Sequence, residues 1–211
     1  MKRRDLITSS LAATALWTTG LAAQDAMPLV EPPTDPYTAI AAAYGIDQSL
    51  SLTDPMAPRV VPIQWGIGES QIHLDPNRFS LYWTLPDALA IRYRVGVGRP
   101  GLYESGSCYV GAKKEWPSWT PTPDMIERNP GEYAQYADGM PGGPNNPLGA
   151  RALYLFEPGR GDTFLRIHGT NLPNTIGTAV SNGCARLVND QIIDLYNRVE
   201  EGAQVYLYPT A

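Results

Sequence analysis

Between Leu89 and Val97 the chain places an apolar residue at every second position: Leu89, Ile91, Tyr93, Val95 and Val97, with small or basic residues between them. A period of two marks a strand that buries one face. Upstream, Ile72 and Leu74 alternate with His73 and Asp75. Asp75-Pro76-Asn77-Arg78 then reads as a turn, Phe79 to Trp83 as a second apolar run, and Leu85-Pro86-Asp87 as a further break. The pattern predicts a β-meander from Gln71 onward, in which His73 is a solvent-facing strand residue with no assigned role. With 20 Gly and 20 Pro, the chain carries punctuation for many short elements.

The length of 211 residues suits one domain with a tail and is ample for a buried core. A net charge of −5 argues against a nucleic-acid binder, which needs a basic footprint. A charged fraction of 18% with five Trp and twelve Tyr does not suit a disordered chain. One Cys/His zinc site would consume both cysteines and both histidines, and at most one disulfide can form.

Lys2, Arg3 and Arg4 precede a modestly apolar stretch from Leu6 to Leu21, and Leu21-Ala22-Ala23 supplies a cleavage-like site. Residues 1–23 are expected to be an export signal; Arg3-Arg4-Asp5-Leu6-Ile7 also resembles a twin-arginine signal. Cleavage would remove three positive charges and one negative, taking the net charge from −5 to −7. Residues 24–62, with Glu31-Pro32-Pro33-Thr34-Asp35-Pro36 and Asp54-Pro55-Met56-Ala57-Pro58, are read as a Pro-rich linker or surface arm, and 63–211 as the domain.

From Gly98 to Gly149 the sequence is loop-like, dense in Trp, Pro and Gly. Such an insertion suits a lid or binding loop, and equally a segment pinned to the core by its tryptophans. Leu153–Phe156 and Thr163–His168 read as strands. A helix is expected to start at Asn189 as N-cap, with Asp190 in its first turn, Ile192, Ile193, Tyr196 and Val199 on one face, and Gly202 as its stop. Val205 and Leu207 suggest a closing strand.

The reactive side chains fall in one window. His168 ends a strand and is followed by Gly169; Cys184 follows Ser181-Asn182-Gly183 and precedes Ala185-Arg186. A cysteine there without an obvious partner is a candidate nucleophile, and an imidazole could take its proton and return it to a leaving amine. Gly183 permits backbone angles that converge N–H groups on one point, and Arg186 supplies a fixed charge suited to a carboxylate. The same residues admit structural roles: Cys184 as a buried thiol or a partner of Cys108, His168 as a strand cap, Arg186 in an ordinary ion pair. No G-x-S-x-G elbow, H-E-x-x-H motif or phosphate-cradling loop is present.

His168-Gly169 and Ser181-Asn182-Gly183-Cys184-Ala185-Arg186 resemble the motif of the L,D-transpeptidases of bacterial cell walls, the YkuD-type catalytic domain. The likeness extends to Trp116-Pro117-Ser118-Trp119-Thr120-Pro121 and Gly143-Pro144-Asn145-Asn146-Pro147-Leu148-Gly149, covering about residues 60 to 208. It implies a mainly-β sandwich or partial barrel with a C-terminal helix and a long insertion. It implies Cys184 as nucleophile on the carbonyl between meso-diaminopimelate and the terminal D-Ala of a tetrapeptide stem. His168 would be the base, oriented by the Gly169 carbonyl; the N–H groups of Asn182, Gly183 and Cys184 would hold the oxyanion, and Arg186 and Ser181 would meet substrate. An amine of another stem would resolve the thioester into a crosslink between diaminopimelate residues. Anchoring of an envelope protein, hydrolysis, or a non-catalytic peptidoglycan-binding module are the alternatives. No metal or cofactor is implied. The partners are donor and acceptor stem peptides, no membrane span remains after signal cleavage, and the location is a Gram-negative periplasm. Many members carry His where this chain has Asn182, and Cys108 has no counterpart in the motif; it is expected to lie apart from Cys184.

Overall fold

The computed structural model describes residues 35–50 and 53–211; the expected signal, 1–23, and the start of the arm, 24–34, lie outside the described residues. A short helix α1 (Thr38–Ala43) is followed by β1 (Arg59–Pro62), β2 (Ile72–Asp75), β3 (Ser80–Leu85), β4 (Leu89–Arg94) and β5 (Val97–Gly98). Then come β6 (Gly106–Glu115), helices α2 (Pro123–Arg128) and α3 (Pro130–Tyr133), β7 (Arg151–Glu157) and β8 (Gly161–His168). The chain closes with β9 (Ala179–Ser181), β10 (Ala185–Arg186), helix α4 (Asn189–Arg198) and β11 (Gln204–Leu207).

Nine strands form one mixed sheet in the order β1-β4-β3-β2-β11-β6-β7-β8-β10, and β5 pairs with β9. Residues from both ends of that sheet, Val60 and Ile91 at one and Ile167 and Ala185 at the other, belong to one core cluster. The sheet is therefore folded over on itself, and a Gly96–Arg186 bridge ties the two ends together. The protein is mainly β with a C-terminal helix, as the sequence predicted. The strictly alternating residues Ile91, Tyr93, Val95 and Val97 are at most 2% exposed. The turn at 76–78 forms because the Asp75 carboxylate accepts the N–H groups of Asn77 and Arg78.

Four expectations need correction. The described part of the arm is no free spacer. Ala41 is fully buried, β1 pairs with β4, and the Gln48 carboxamide bonds both N–H and C=O of Val60 at 2.9 Å, imitating a strand partner. Buried apolar contact and a paired edge hold this segment despite its prolines. The stretch after Gly98 contains β6, the ten-residue strand that bridges β11 and β7. The helix N-cap is Val188 rather than Asn189, with no side-chain cap. Its buried residues are Gln191, Ile192 and Leu195, with Val199 buried at its end, whereas Ile193 is only half-buried. Finally, His73 is 7% exposed: it stacks on Tyr206 with ring centroids 4.8 Å apart and bonds the Tyr208 hydroxyl at 2.8 Å.

Candidate active site

Strands β8 and β10 run parallel, with Ala185 beside Ile167 and Arg186 beside His168. Ile167, Ala185 and Leu187 point into the core, so period-two alternation turns Arg166, His168, Cys184 and Arg186 to the opposite face. The sequence-predicted Cys–His pair thus shares one face of two adjacent strands. Arg166 belongs to this group and was missed, although its two-residue spacing from His168 in a strand was the available signal.

His168 is 4% exposed. Its Nδ1 lies 2.6 Å from the Gly169 carbonyl oxygen; a carbonyl only accepts, so Nδ1 carries the proton and Nε2 presents a lone pair. Burial, with the charges of Arg186 and Arg166 against the weaker pull of the Gly169 carbonyl, pushes the imidazole pKa down to about 3. The ring is neutral throughout the physiological range. The backbone on either side is also fixed: Gly169 N–H donates to the Arg151 carbonyl and Leu187 N–H to the His168 carbonyl.

Cys184 is a free, half-buried thiol. Its Sγ lies 3.9 Å from the Phe164 carbonyl oxygen. Burial pushes its pKa up, while the Arg166 N–H and the charges of Arg166 and Arg186 work against that rise. The Phe164 carbonyl reaches the thiol because β8 bulges there. Thr163, Phe164 and Leu165 oppose the single residue Leu155, and Phe164 takes φ 62°. Thr163 Oγ1 repairs the gap by donating to the Leu155 carbonyl at 2.7 Å and accepting Leu165 N–H at 3.1 Å.

The turn before Cys184 is closed from within. Ser181 Oγ donates to the Cys184 carbonyl at 2.6 Å and accepts a long contact from Gly183 N–H at 3.3 Å. Ser181, expected to meet substrate, is 1% exposed, and its hydroxyl holds the turn. Gly183 has φ 120°, and a Cβ there would lie 2.9 Å from the Leu102 carbonyl oxygen, so this position needs glycine twice over.

Asn182 is the anchor of the insertion. Its Oδ1 accepts Arg99 at 2.9 Å and Arg128 at 3.4 Å, and its Nδ2 donates to the Tyr133 hydroxyl at 2.9 Å. Trp119 packs edge-on against Tyr133 and Tyr136, so this tryptophan braces the insertion itself. The Arg186 guanidinium makes no hydrogen bond or ion pair among the described residues, although Tyr133 and Glu132 exert electrostatic influence on it. Arg166, by contrast, forks onto Asp162 at 2.7 and 2.8 Å and lies over the Tyr154 ring. Arg99, Arg128 and Tyr133 were invisible in sequence, because only the fold brings them to Asn182. Cys108 sits in the core on β6 and is likewise a free thiol.

The family described as the YkuD L,D-transpeptidase catalytic domain matches residues 69–207. The chain is 37% identical over 134 residues to the probable L,D-transpeptidase ErfK/SrfK of Escherichia coli, covering 60% of this chain and 40% of that protein. It is 30% identical over 169 residues to the probable L,D-transpeptidase YcfS of the same organism, covering 74% and 52%. The chain thus spans about half the length, or less, of these relatives. Among solved structures, a Brucella melitensis protein named as a probable carnitine operon oxidoreductase is 43% identical, with TM-score 0.51, covering 80% of this chain and 99% of that one. An Enterococcus faecium L,D-transpeptidase at 17% identity and TM-score 0.50, covering 67% and 50%, shares the fold.

Proposed function

The chain belongs to the YkuD family of L,D-transpeptidase catalytic domains, and from that premise we propose that it forms peptidoglycan crosslinks through a thioester on Cys184. The observation that carries this reading is the His168–Gly169 contact of 2.6 Å on the strand beside Cys184, which leaves the neutral Nε2 as the proton acceptor of that face.

Burial favours the neutral thiol and the neutral imidazole, so the resting pair is uncharged. Sγ attacks the carbonyl between meso-diaminopimelate and the terminal D-Ala of a donor stem while His168 Nε2 takes the thiol proton. The N–H groups of Asn182 and Cys184, joined by that of Gly183 as it leaves its long contact to Ser181 Oγ, hold the oxyanion. Collapse breaks the C–N bond; His168 returns its proton to the leaving D-Ala amine and a thioester remains. The side-chain amine of an acceptor diaminopimelate then attacks the thioester. His168 takes a proton from that amine and passes it to the departing sulfur. Arg186, with no carboxylate partner among the described residues, meets a substrate carboxylate, and Gly169 acts only by orienting His168. Export to a Gram-negative periplasm, where this substrate lies, completes the reading.

The test is intact mass after carbapenem exposure. Wild-type protein gains one drug adduct and Cys184→Ala gains none; wild-type protein left unmodified where a control enzyme is acylated sinks the nucleophile assignment. Muropeptide composition of a deletion strain then fixes the acceptor. Loss of crosslinks between diaminopimelate residues supports the proposal, and unchanged crosslinks with loss of an anchored protein or altered stem lengths replace it by anchoring or hydrolysis.

A further inference from the structure

A row of side chains crosses the outer face of the other half of the sheet. Arg59 stands opposite Arg92, Arg92 opposite Tyr82, Tyr82 opposite His73, and His73 opposite Tyr206. Their neighbours along each strand, Val60, Ile91, Leu81, Ile72 and Val205, fill the core. A cavity of about 460 Å³ opens over the middle of this row, at Arg92, Tyr82 and His73. It shares no residue with the Cys184 face, and one wall is the loop that contributes Ile63, Gln64 and Ile67.

The charges along this row and in the cavity do not balance. Arg59 is committed to Asp35 at 3.2 Å. Asp75, the only carboxylate of the cavity wall among the described residues, receives Asn77 and Arg78 N–H and faces the Arg78 guanidinium at 3.6 Å. Arg92 has neither hydrogen bond nor ion pair among the described residues, and its Nε is buried without a partner. Arg92 is half-buried, and two cations directly opposite on paired strands repel. Burial and the charge of Arg59 hold the Arg92 pKa below its ordinary value. Three rings, Tyr82, His73 and Tyr208, line the wall beside aliphatic residues; the Tyr208 hydroxyl bonds His73 Nδ1 at 2.8 Å, and His73 stacks on Tyr206 behind it. On the loop, between Gln64 and Ile67, Trp65 is 79% exposed.

We propose that this cavity binds a sugar ring bearing a carboxylate, its carboxylate on Arg92 and its C–H face against the tyrosine wall, with Trp65 at the mouth. A guanidinium fork matches a carboxylate in geometry and charge. Ring platforms with polar tips suit a ligand that is apolar on its faces and polar at its edges. The site stands independently of the reaction at Cys184, since its occupancy is read as binding.

Titration of the purified protein at low salt, followed by calorimetry or amide chemical shifts, tests the assignment. D-glucuronate and N-acetylmuramate are the carboxylated probes; N-acetylglucosamine and inorganic phosphate each lack one feature. The carboxylated sugars bind about tenfold or more tighter than either control. Whichever of the two binds tighter distinguishes a uronic acid from a lactyl ether as the source of the carboxylate. Arg92→Met abolishes binding with an unchanged or raised Tm, since it removes a half-buried charge that faces Arg59, and Trp65→Ala weakens binding in the folded protein. Failure of both carboxylated sugars to bind, equal binding by phosphate, or undiminished binding by folded Arg92→Met overturns the proposal. Should Arg92→Met not fold, Arg92→Lys, which keeps the charge but loses the fork, must still weaken carboxylate binding.

Discussion

Gly169 lacks a side chain because Asn189 fills the space that one would need: a Cβ at Gly169 would lie 2.3 Å from Asn189 Oδ1 and 3.1 Å from Ile192 Cγ2. Asn189 Oδ1 in turn accepts the N–H groups of Ala150 at 3.0 Å and Thr170 at 3.3 Å. The first residue of α4 therefore clamps both backbone segments that flank His168. Gly169 is not among the residues with positive φ, so its requirement is close approach rather than backbone conformation.

Gly169→Ala is expected to lose about 1–3 kcal/mol by overpacking and to slow thioester formation, because relief of the clash moves the carbonyl that orients His168. Asn189→Ala leaves two N–H groups without their acceptor and loses about 1–3 kcal/mol. Urea unfolding gives the stability change and the rate of drug acylation gives the effect on chemistry. A Gly169→Ala protein with wild-type stability and rate would contradict the clamp.

The buried imidazole makes stability depend on pH in a defined direction. In the unfolded chain His168 protonates near its ordinary value of 6.5, whereas in the folded protein it resists until about 3. The unfolded state therefore binds more protons between these values, and stability falls as pH drops through that window. From pH 7.5 to pH 5 this contributes about 2 kcal/mol of loss. His73, also pushed down by burial, contributes in the same direction. Urea unfolding of wild type and His168→Gln at pH 7.5 and pH 5 isolates the His168 part: the wild type loses more, and equal losses would refute the buried neutral ring.

Tyr133→Phe removes one of the three bonds that hold the insertion on Asn182 while leaving Arg99 and Arg128 in place. Global stability is expected to change by about 1 kcal/mol or less, but trypsin should cut after Arg128 several-fold faster. An unchanged cleavage rate would show that Asn182 does not hold the segment down.

The two thiols should differ in access, not in oxidation. Cys184 is half-buried and Cys108 is 6% exposed within the core. Titration of the native protein with a thiol reagent should give one reactive group, lost in Cys184→Ala, and a second only after denaturation. The native reaction should quicken as pH rises, because burial holds the Cys184 pKa above its ordinary value. No free thiol under denaturing, non-reducing conditions would reveal a disulfide.

Part of the fold was legible because its signals are local. The β2–β4 meander declares itself through period-two burial and its Pro and Asp breaks, and β7 and β8 through their apolar runs. β6 was not legible: only Cys108 and Val110 of its ten residues are buried, and its other half is Gly, Ala, Lys and Glu. It is a strand because β11 and β7 supply hydrogen bonds on either side. Gly111 is small because a Cβ there would lie 2.3 Å from the Phe156 ring. The arm misled for the same reason, since Ala41 and Gln48 reveal their partners only when Val60 is already in place.

The sequence by itself determined the fold class and the family motif, and singled out Cys184 and His168 as candidates, because strand periodicity and the spacing of rare reactive side chains are written along the chain. Tertiary structure decided what those residues experience. It set the tautomer and low basicity of His168, committed the Ser181 hydroxyl to the turn before Cys184, and gave Asn182 the insertion to hold. It also left Arg92 unpaired beside a tyrosine wall. Each of these depends on burial and on partners tens of residues away, and desolvation and hydrogen bonding act through space rather than along the chain.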